Sequence, residues 1–201
     1  MTKYPNYVKN NVATLISTAF IDNDKEEINW VKLSRHPKLT VKIMEKYINL
    51  LHWPTISRFQ KLDEPTIRKF KNNVLWQFIS KYQKLSEEFI EEFKDSVNWE
   101  AISLHQNLSY EFIEKFNHKL RWGPLMKKNN FSEDFLRKFL DYIDWGYVQI
   151  NNCSYKFIDE FIDKLNWTRI SSDEHLSEDF LKKYAHMLNL SIVSIHQKLN
   201  E

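Results

Sequence analysis

Apolar residues recur along this chain in steps of four inside short runs, and the runs themselves recur at a longer, fixed interval. Phe89, Phe93 and Val97 form one run, Phe112, Phe116 and Leu120 the next, and Phe135, Phe139 and Ile143 a third, with Ile90, Ile113 and Leu136 widening each stripe. Four-residue steps with Glu, Lys and Asp between them mark a helix with one buried face and one wet face. Ahead of the runs stand Thr40, Asp63, Ser86, Ser109, Ser132, Ser177 and Asn200, residues whose side chains accept a hydrogen bond from the unpaired amides of a first helical turn. Acids often follow the cap, as in Glu87-Glu88 and Glu133-Asp134, where the helix dipole favours them. Phe or Ile occupies the place where a capping box would put its Glu, so no complete box is expected. The pattern predicts a helix of about three turns from each cap.

A second, shorter apolar signature precedes each cap. The seven tryptophans are Trp30, Trp53, Trp76, Trp99, Trp122, Trp145 and Trp167, spaced by 23, 23, 23, 23, 23 and 22 residues, and Leu190 takes the same place once more. Three residues after each stands an aliphatic side chain: Leu33, Ile56, Ile79, Ile102, Leu125, Val148, Ile170 and Val193. A short helical turn buries both. The fold expected is therefore all-α, an α-solenoid of 23-residue helix-turn-helix repeats: a degenerate N-terminal capping repeat over 1–29, seven tandem repeats over 30–189, and a truncated repeat over 190–201. The sequence repeats because a lone helical pair cannot cover its own Trp, Leu and Phe, and an identical neighbour can. Asn29, Asn98, Asn166 and Asn189 stand just before this position and read as helix-closing residues that tolerate the left-handed conformation. The serines Ser34, Ser57, Ser80, Ser103, Ser171 and Ser194, one per repeat, read as bonding a carbonyl at the end of the short helix.

The pattern lapses twice. Ile16 to Ile21 keeps only part of the signature. Both glycines follow a Trp directly, as Gly123 and Gly146, and the repeat begun by Trp145 is one residue short, so altered stacking is expected between Gly123 and Cys153.

Composition agrees with the helical reading and narrows the function classes. Two glycines and five prolines in 201 residues leave little turn chemistry for hairpins. Hydrophobic residues at 42% and aromatic ones at 15% suffice for a core. No basic start is followed by an apolar run of signal length and no eighteen apolar residues are consecutive, which predicts a cytoplasmic chain with no membrane partner. The single Cys153 cannot form an internal disulfide; it stands where other repeats carry Leu and reads as core. A net charge of +2 imposes no global field that would demand nucleic acid.

The stretch from Asn29 to Tyr47, NWVKLSRHPKLTVKIMEKY, resembles short tandem repeats of proteins from giant, mimivirus-like DNA viruses, which read in outline Trp-x-x-Ile-Ser-x-Asn-Pro-x-Leu-Thr. Trp30, Leu33, Ser34, Pro37, Leu39 and Thr40 match, His36 replaces the Asn, and later repeats place Gln60, Gln83, Gln106 and Gln197 where the Pro stands. The resemblance implies a viral or phage origin and supplies no catalytic residue.

Motifs for chemistry are scarce. Two isolated glycines build no phosphate loop, and neither His-Glu-x-x-His nor a cysteine pair with metal spacing occurs. His36, His105 and His196 share one column but are three or four repeats apart, too far to share a metal. No cofactor and no small-molecule substrate are expected. The turn between the two helices is richer: Arg35-His36-Pro37-Lys38, Arg58-Phe59-Gln60-Lys61 and Lys81-Tyr82-Gln83-Lys84 each place two cations about a ring, and Lys127 and Lys128 extend the series after Leu104-His105-Gln106-Asn107 breaks it. Such an edge suits phosphate contacts and base stacking, or an acidic protein partner; a solvated edge whose rings pack on their neighbours is the plainer reading. The function expected is a non-enzymatic interaction module of a virus or phage that binds a host protein along the repeat surface, with RNA or single-stranded DNA binding through Arg35, His36, Lys38, Arg58, Phe59, Lys61, Lys81, Tyr82, Lys84, Lys127 and Lys128 as the alternative. An enzyme site built in the irregular stretch from Gly123 to Cys153 is a third.

Overall fold

A computed structural model describes residues 21–22, 27–172 and 176–196; most of the capping repeat, and Gln197, Leu199 and Asn200, lie outside the described residues. Among the described residues the regular structure is all-helical apart from a two-residue antiparallel pair, Ile21–Asp22 with Glu27–Ile28. It divides into two compact units, Met1–Phe112 and Ile113–Glu201.

In the N-terminal unit, each Trp opens a short helix: Trp30–Ser34, Trp53–Phe59, Trp76–Tyr82 and Trp99–His105. These first helices pack on one another in sequence order. The second helices, Val41–Lys46, Glu64–Lys69 and Glu87–Glu92, start at Thr40, Asp63 and Ser86, whose side chains accept from the amides of Ile43, Thr66 and Phe89. The C-terminal unit repeats the plan with Trp122–Lys128, Glu133–Lys138, Tyr155–Glu160, Trp167–Ser171, Glu178–Tyr184 and Leu190–His196.

The second helices are shorter than the expected three turns. Five of them hold six α-helical residues and then an aromatic whose backbone leaves the α region, Tyr47, Phe70, Phe93, Phe139 or Phe161, as in Phe93 at φ −107°, ψ 28°, whereas Glu178–Tyr184 is followed by Ala185 in the α region. The four-residue apolar step survives because the next turn keeps its i−4 bond: Val97 N–H donates to Phe93 C=O at 3.0 Å. Departure from the helix turns the ring toward the repeat's own Trp, with ring centroids 4.9 Å apart for Trp53–Phe70, 4.8 Å for Trp76–Phe93 and 5.1 Å for Trp122–Phe139. The indole is amphipathic in use. In five repeats its N–H donates to a carbonyl five residues back, as from Trp53 to Ile48 at 2.8 Å and from Trp167 to Ile162 at 2.8 Å, so the Trp closes the preceding turn while its rings stack. Trp53 and Trp122 are buried, and Trp76, Trp99, Trp145 and Trp167 are half-buried.

Asn29, Asn98 and Asn166 do not close a helix in the left-handed region. Their backbones have negative φ, and their side chains accept from the amides of Lys32, Ala101 and Arg169, so they are N-caps of the following first helix. The repeat serines are also more than carbonyl partners. Ser57, Ser103 and Ser171 donate to the carbonyl of the Trp that opens their helix, at 2.7–2.8 Å, and the same column accepts the backbone N–H that starts the next repeat. His52 donates to Ser34, Leu75 to Ser57, Asn98 to Ser80 and Asn189 to Ser171, all at 2.8–2.9 Å. With Ser34, Ser57, Ser80, Ser103 and Ser171 fully buried, a hydroxyl that both donates and accepts satisfies two backbone groups that burial would otherwise leave costly.

The expected irregularity at Trp145 is real. The missing residue falls within the first helix, which breaks into two 3-10 turns, Trp145–Tyr147 and Ile150–Asn152. Asp144 caps the first of them, accepting from Gly146 N–H at 3.2 Å, and a Cβ on Gly123 would lie 3.0 Å from Asp144 Oδ2. Both glycines therefore make room for one carboxylate. Cys153 is half-buried here, and burial pushes its thiol up to about 11, which leaves it protonated and unreactive at neutral pH.

Candidate functional site

The turn that follows each first helix in the N-terminal unit is clamped by a glutamine from the next repeat. Gln60 Nε2 donates to Ser34 C=O at 2.8 Å and His36 C=O at 3.0 Å. Gln83 Nε2 donates to Ser57 C=O and Gln60 C=O at 3.1 and 2.9 Å, while its Oε1 accepts from Leu62 N–H at 3.0 Å. Gln106 repeats this on Ser80, Gln83 and Leu85. Gln83 and Gln106 are buried. Each amide spans the turn beside it, so the backbone carrying Arg35-His36 and Arg58-Phe59 is fixed to the neighbouring repeat by neutral hydrogen bonds.

On this clamped backbone the side chains form an alternating stack. Arg35 lies over the Phe59 ring at 4.3 Å, Arg58 reaches the same ring at 5.0 Å and the Tyr82 ring at 5.6 Å, and Lys81 lies 5.2 Å from the Tyr82 ring. Phe59 and Tyr82 remain 46% and 42% exposed, although each ring already carries cations. The plainer expectation, that a ring packs on its neighbour, is thus met in a particular form: the packing group is the cation of the preceding turn. Lys38, Lys61 and Lys84 are exposed beside this stack and are not part of it. His36 is half-buried, and its Nδ1 accepts from Lys38 N–H at 3.2 Å. Lys127 and Lys128 belong to the C-terminal unit, exposed at the end of Trp122–Lys128, and burial holds the Lys128 ammonium below its ordinary pKa.

Charge pairing separates the edge from part of the second-helix surface. There Arg68 pairs with Glu92 at 2.8 Å, Lys69 with Glu45, Arg137 with Glu160 at 2.9 Å, Lys138 with Glu114 at 2.7 Å and Lys183 with Asp159 at 2.8 Å. Among the described residues no carboxylate stands within ion-pair reach of Arg35, Lys38, Arg58, Lys61, Lys81 or Lys84. A guanidinium stacked on a ring keeps its N–H fork directed outward and loses little further entropy on binding a carboxylate or phosphate.

Gln60 and Gln83 position this edge without belonging to its row of cations and rings. Their signal is present in the sequence as Gln at one place in three successive repeats.

The irregular stretch offers a different kind of site. Two open clefts flank Ile150, one of about 210 Å³ lined by Val148, Ile150, Arg169, Ile170 and Ser172, the other of about 220 Å³ lined in part by Cys153, Tyr155, Leu176 and Phe180. Among the described residues, neither cleft brings an activated nucleophile or a carboxylate pair to its wall.

Compared with protein-family models, curated proteins and solved structures, the chain matches none. No helix among the described residues is long and apolar enough to cross a membrane.

Proposed function

We propose that this chain is a non-enzymatic repeat module of viral or phage type that binds a host protein through an acidic segment laid along the turn edge of the N-terminal unit. The observation that carries the reading is the stack Arg35–Phe59–Arg58–Tyr82–Lys81, which holds cations in place without a carboxylate of its own. Repeat surfaces present such groups at fixed intervals and so favour extended partners over small substrates. Nucleic acid is the second reading. Base stacking needs free ring faces, and Phe59 already carries Arg35 at 4.3 Å, which favours carboxylate contacts over stacked bases.

The test is capture of partners from host lysate with the parent chain and with the double variant Arg58→Glu/Lys81→Glu, before and after nuclease. A protein retained after nuclease and lost with the variant supports the proposal, because reversed charges would now face its acids. Loss of all capture on nuclease treatment, with steep weakening as salt rises, would move the function to nucleic acid. Equal capture by both proteins would sink the edge altogether.

A further inference from the structure

The spacing of the stacked cations specifies the conformation and the sequence register of that acidic segment. Arg35 and Arg58 both lie over one ring, at 4.3 and 5.0 Å from its centroid, so their charged groups lie no farther apart than about 9 Å, the reach of two cation–ring contacts. The next pair shares Tyr82, with Arg58 at 5.6 Å and Lys81 at 5.2 Å, and is set by the same stacking of one repeat on the next, roughly 8 to 10 Å between packed helices.

An extended ligand must match that interval on one face. A β-strand puts residues i and i+2 on one face only about 7 Å apart and sends i+3 to the other face. A polyproline II segment rises about 3.1 Å per residue with three residues per turn, so i, i+3 and i+6 share a face at about 9 Å. An α-helix offers i and i+7 at roughly 10 Å, but its width would demand a groove, whereas exposed rings and long cationic side chains form a ridge. Of these, the polyproline II register lies nearest to the roughly 8 to 10 Å interval between successive repeats.

We infer that the edge recognises a polyproline II-like acidic segment carrying Asp or Glu at every third residue, one carboxylate each for Arg35, Arg58 and Lys81. This rests on the reading of the edge as a protein-binding surface. The Gln60 and Gln83 amides give it its sharpness: they fix the turns that carry the cations, so the comb cannot slide to suit another spacing.

The experiment uses the full chain and three labelled peptides of equal length and charge, rich in Pro so that the residue before each is held extended. One carries Glu at i, i+3 and i+6, one at i, i+2 and i+4, and one as three consecutive Glu. The every-third peptide is expected to bind about tenfold more tightly than the other two, since simultaneous engagement of linked contacts depends on matched spans. The Arg58→Glu variant should abolish that preference while keeping the parent's circular dichroism and melting curve. Equal binding of all three peptides, still weakened by Arg58→Glu, would overturn the register and leave the acidic-partner reading standing. Binding of none, together with undiminished lysate capture by the charge-reversed variant, would overturn both. A uridine oligonucleotide that outcompetes every peptide at low salt would overturn both in favour of nucleic acid.

Discussion

Seven residues after Trp53, Trp76 and Trp99 the N-terminal unit places Gln60, Gln83 and Gln106, and seven after Trp122 and Trp145 the C-terminal unit places Asn129 and Asn152. The glutamines reach across to the preceding repeat and engage two of its carbonyls. Asn129, one methylene shorter, turns its amide back on Leu125 of its own helix at 3.0 Å, and Asn152 makes a single exposed contact of 3.4 Å to Asn130. Exposed charge is common to both units: Arg68 bridges Glu64 and Glu92 while lying 4.9 Å from the Phe89 ring, as Arg137 bridges Glu133 and Glu160 at 5.0 Å from the Phe157 ring, and Asp159 holds both Lys183 and the Tyr184 hydroxyl. The glutamine clamp is what the N-terminal unit adds, buried neutral bonds beside solvent-facing ions. Buried bonds are costly to break and indifferent to salt, whereas exposed pairs contribute little and answer to pH and ionic strength.

The largest effect should ignore this difference. Trp53→Ala in the N-terminal unit and Trp122→Ala in the C-terminal unit each remove a buried ring that stacks on its repeat's second helix, and each should cost about 3 to 5 kcal/mol in chemical denaturation. Unequal losses would show that the apolar cores differ as well as the polar links. Next comes the comparison itself. Gln83→Leu strands two carbonyls and one amide in a buried place and should cost about 3 kcal/mol, against under about 1 kcal/mol for Asn152→Leu. Similar values at both sites would erase the distinction.

A smaller effect concerns acid. The hydrogen bond from Lys183, then that from Tyr184, holds the Asp159 carboxyl below its ordinary 3.8. A depressed folded-state pKa stabilises above the unfolded value, and the contribution is lost as pH falls through the folded one. Asp159→Asn should therefore be less stable than the parent at neutral pH and converge with it as pH falls through the depressed folded-state pKa; a gap that stays constant through the whole acid titration would mean the carboxylate is not the source. Smallest of all is the turn edge. Arg58→Glu/Lys81→Glu removes only exposed cation–ring contacts and should cost at most about 1 kcal/mol, read as a shift of the urea midpoint with unchanged slope.

The repeat was open to view in the sequence because it is written in local terms. Trp30 through Trp167 mark the helix starts, and Thr40, Asp63, Ser86, Ser132 and Ser177 cap the second helices where their types and spacing place them. What stayed hidden depends on partners 18 to 26 residues away, as with the Ser34–His52 and Gln60–Ser34 bonds. A serine recurring once per repeat shows that it is structural without showing that it faces the next repeat. The role of the Asn column was misread for the same reason: a residue between two helices can close one or open the other, and only the backbone angles decide. The cations of the edge could be aligned from the sequence, but their stacking on the next repeat's ring and the lack of neighbouring acids required coordinates.

A capping box was not expected, and none forms within one helix. Glu64 accepts the backbone N–H of Ser86 at 2.7 Å, Glu87 binds both the N–H and the hydroxyl of Ser109, and Glu133 accepts Ser154 N–H at 2.9 Å. The box is completed in trans, by the glutamate that opens the previous second helix. The serine hydroxyls point the same way, receiving the first amide of the repeat that follows. In these capping and serine bonds acceptors lie on the earlier repeat and donors on the later one, which gives the cap ladder a polarity that the glutamine bonds from Leu62 and Leu85 do not share. A nascent chain leaving the ribosome meets its caps already in place, each finished repeat acting as a template for the one still emerging. Shortening from the C-terminal end exposes hydroxyls and carboxylates that water readily satisfies, whereas shortening from the other end strips a whole row of amides of their partners.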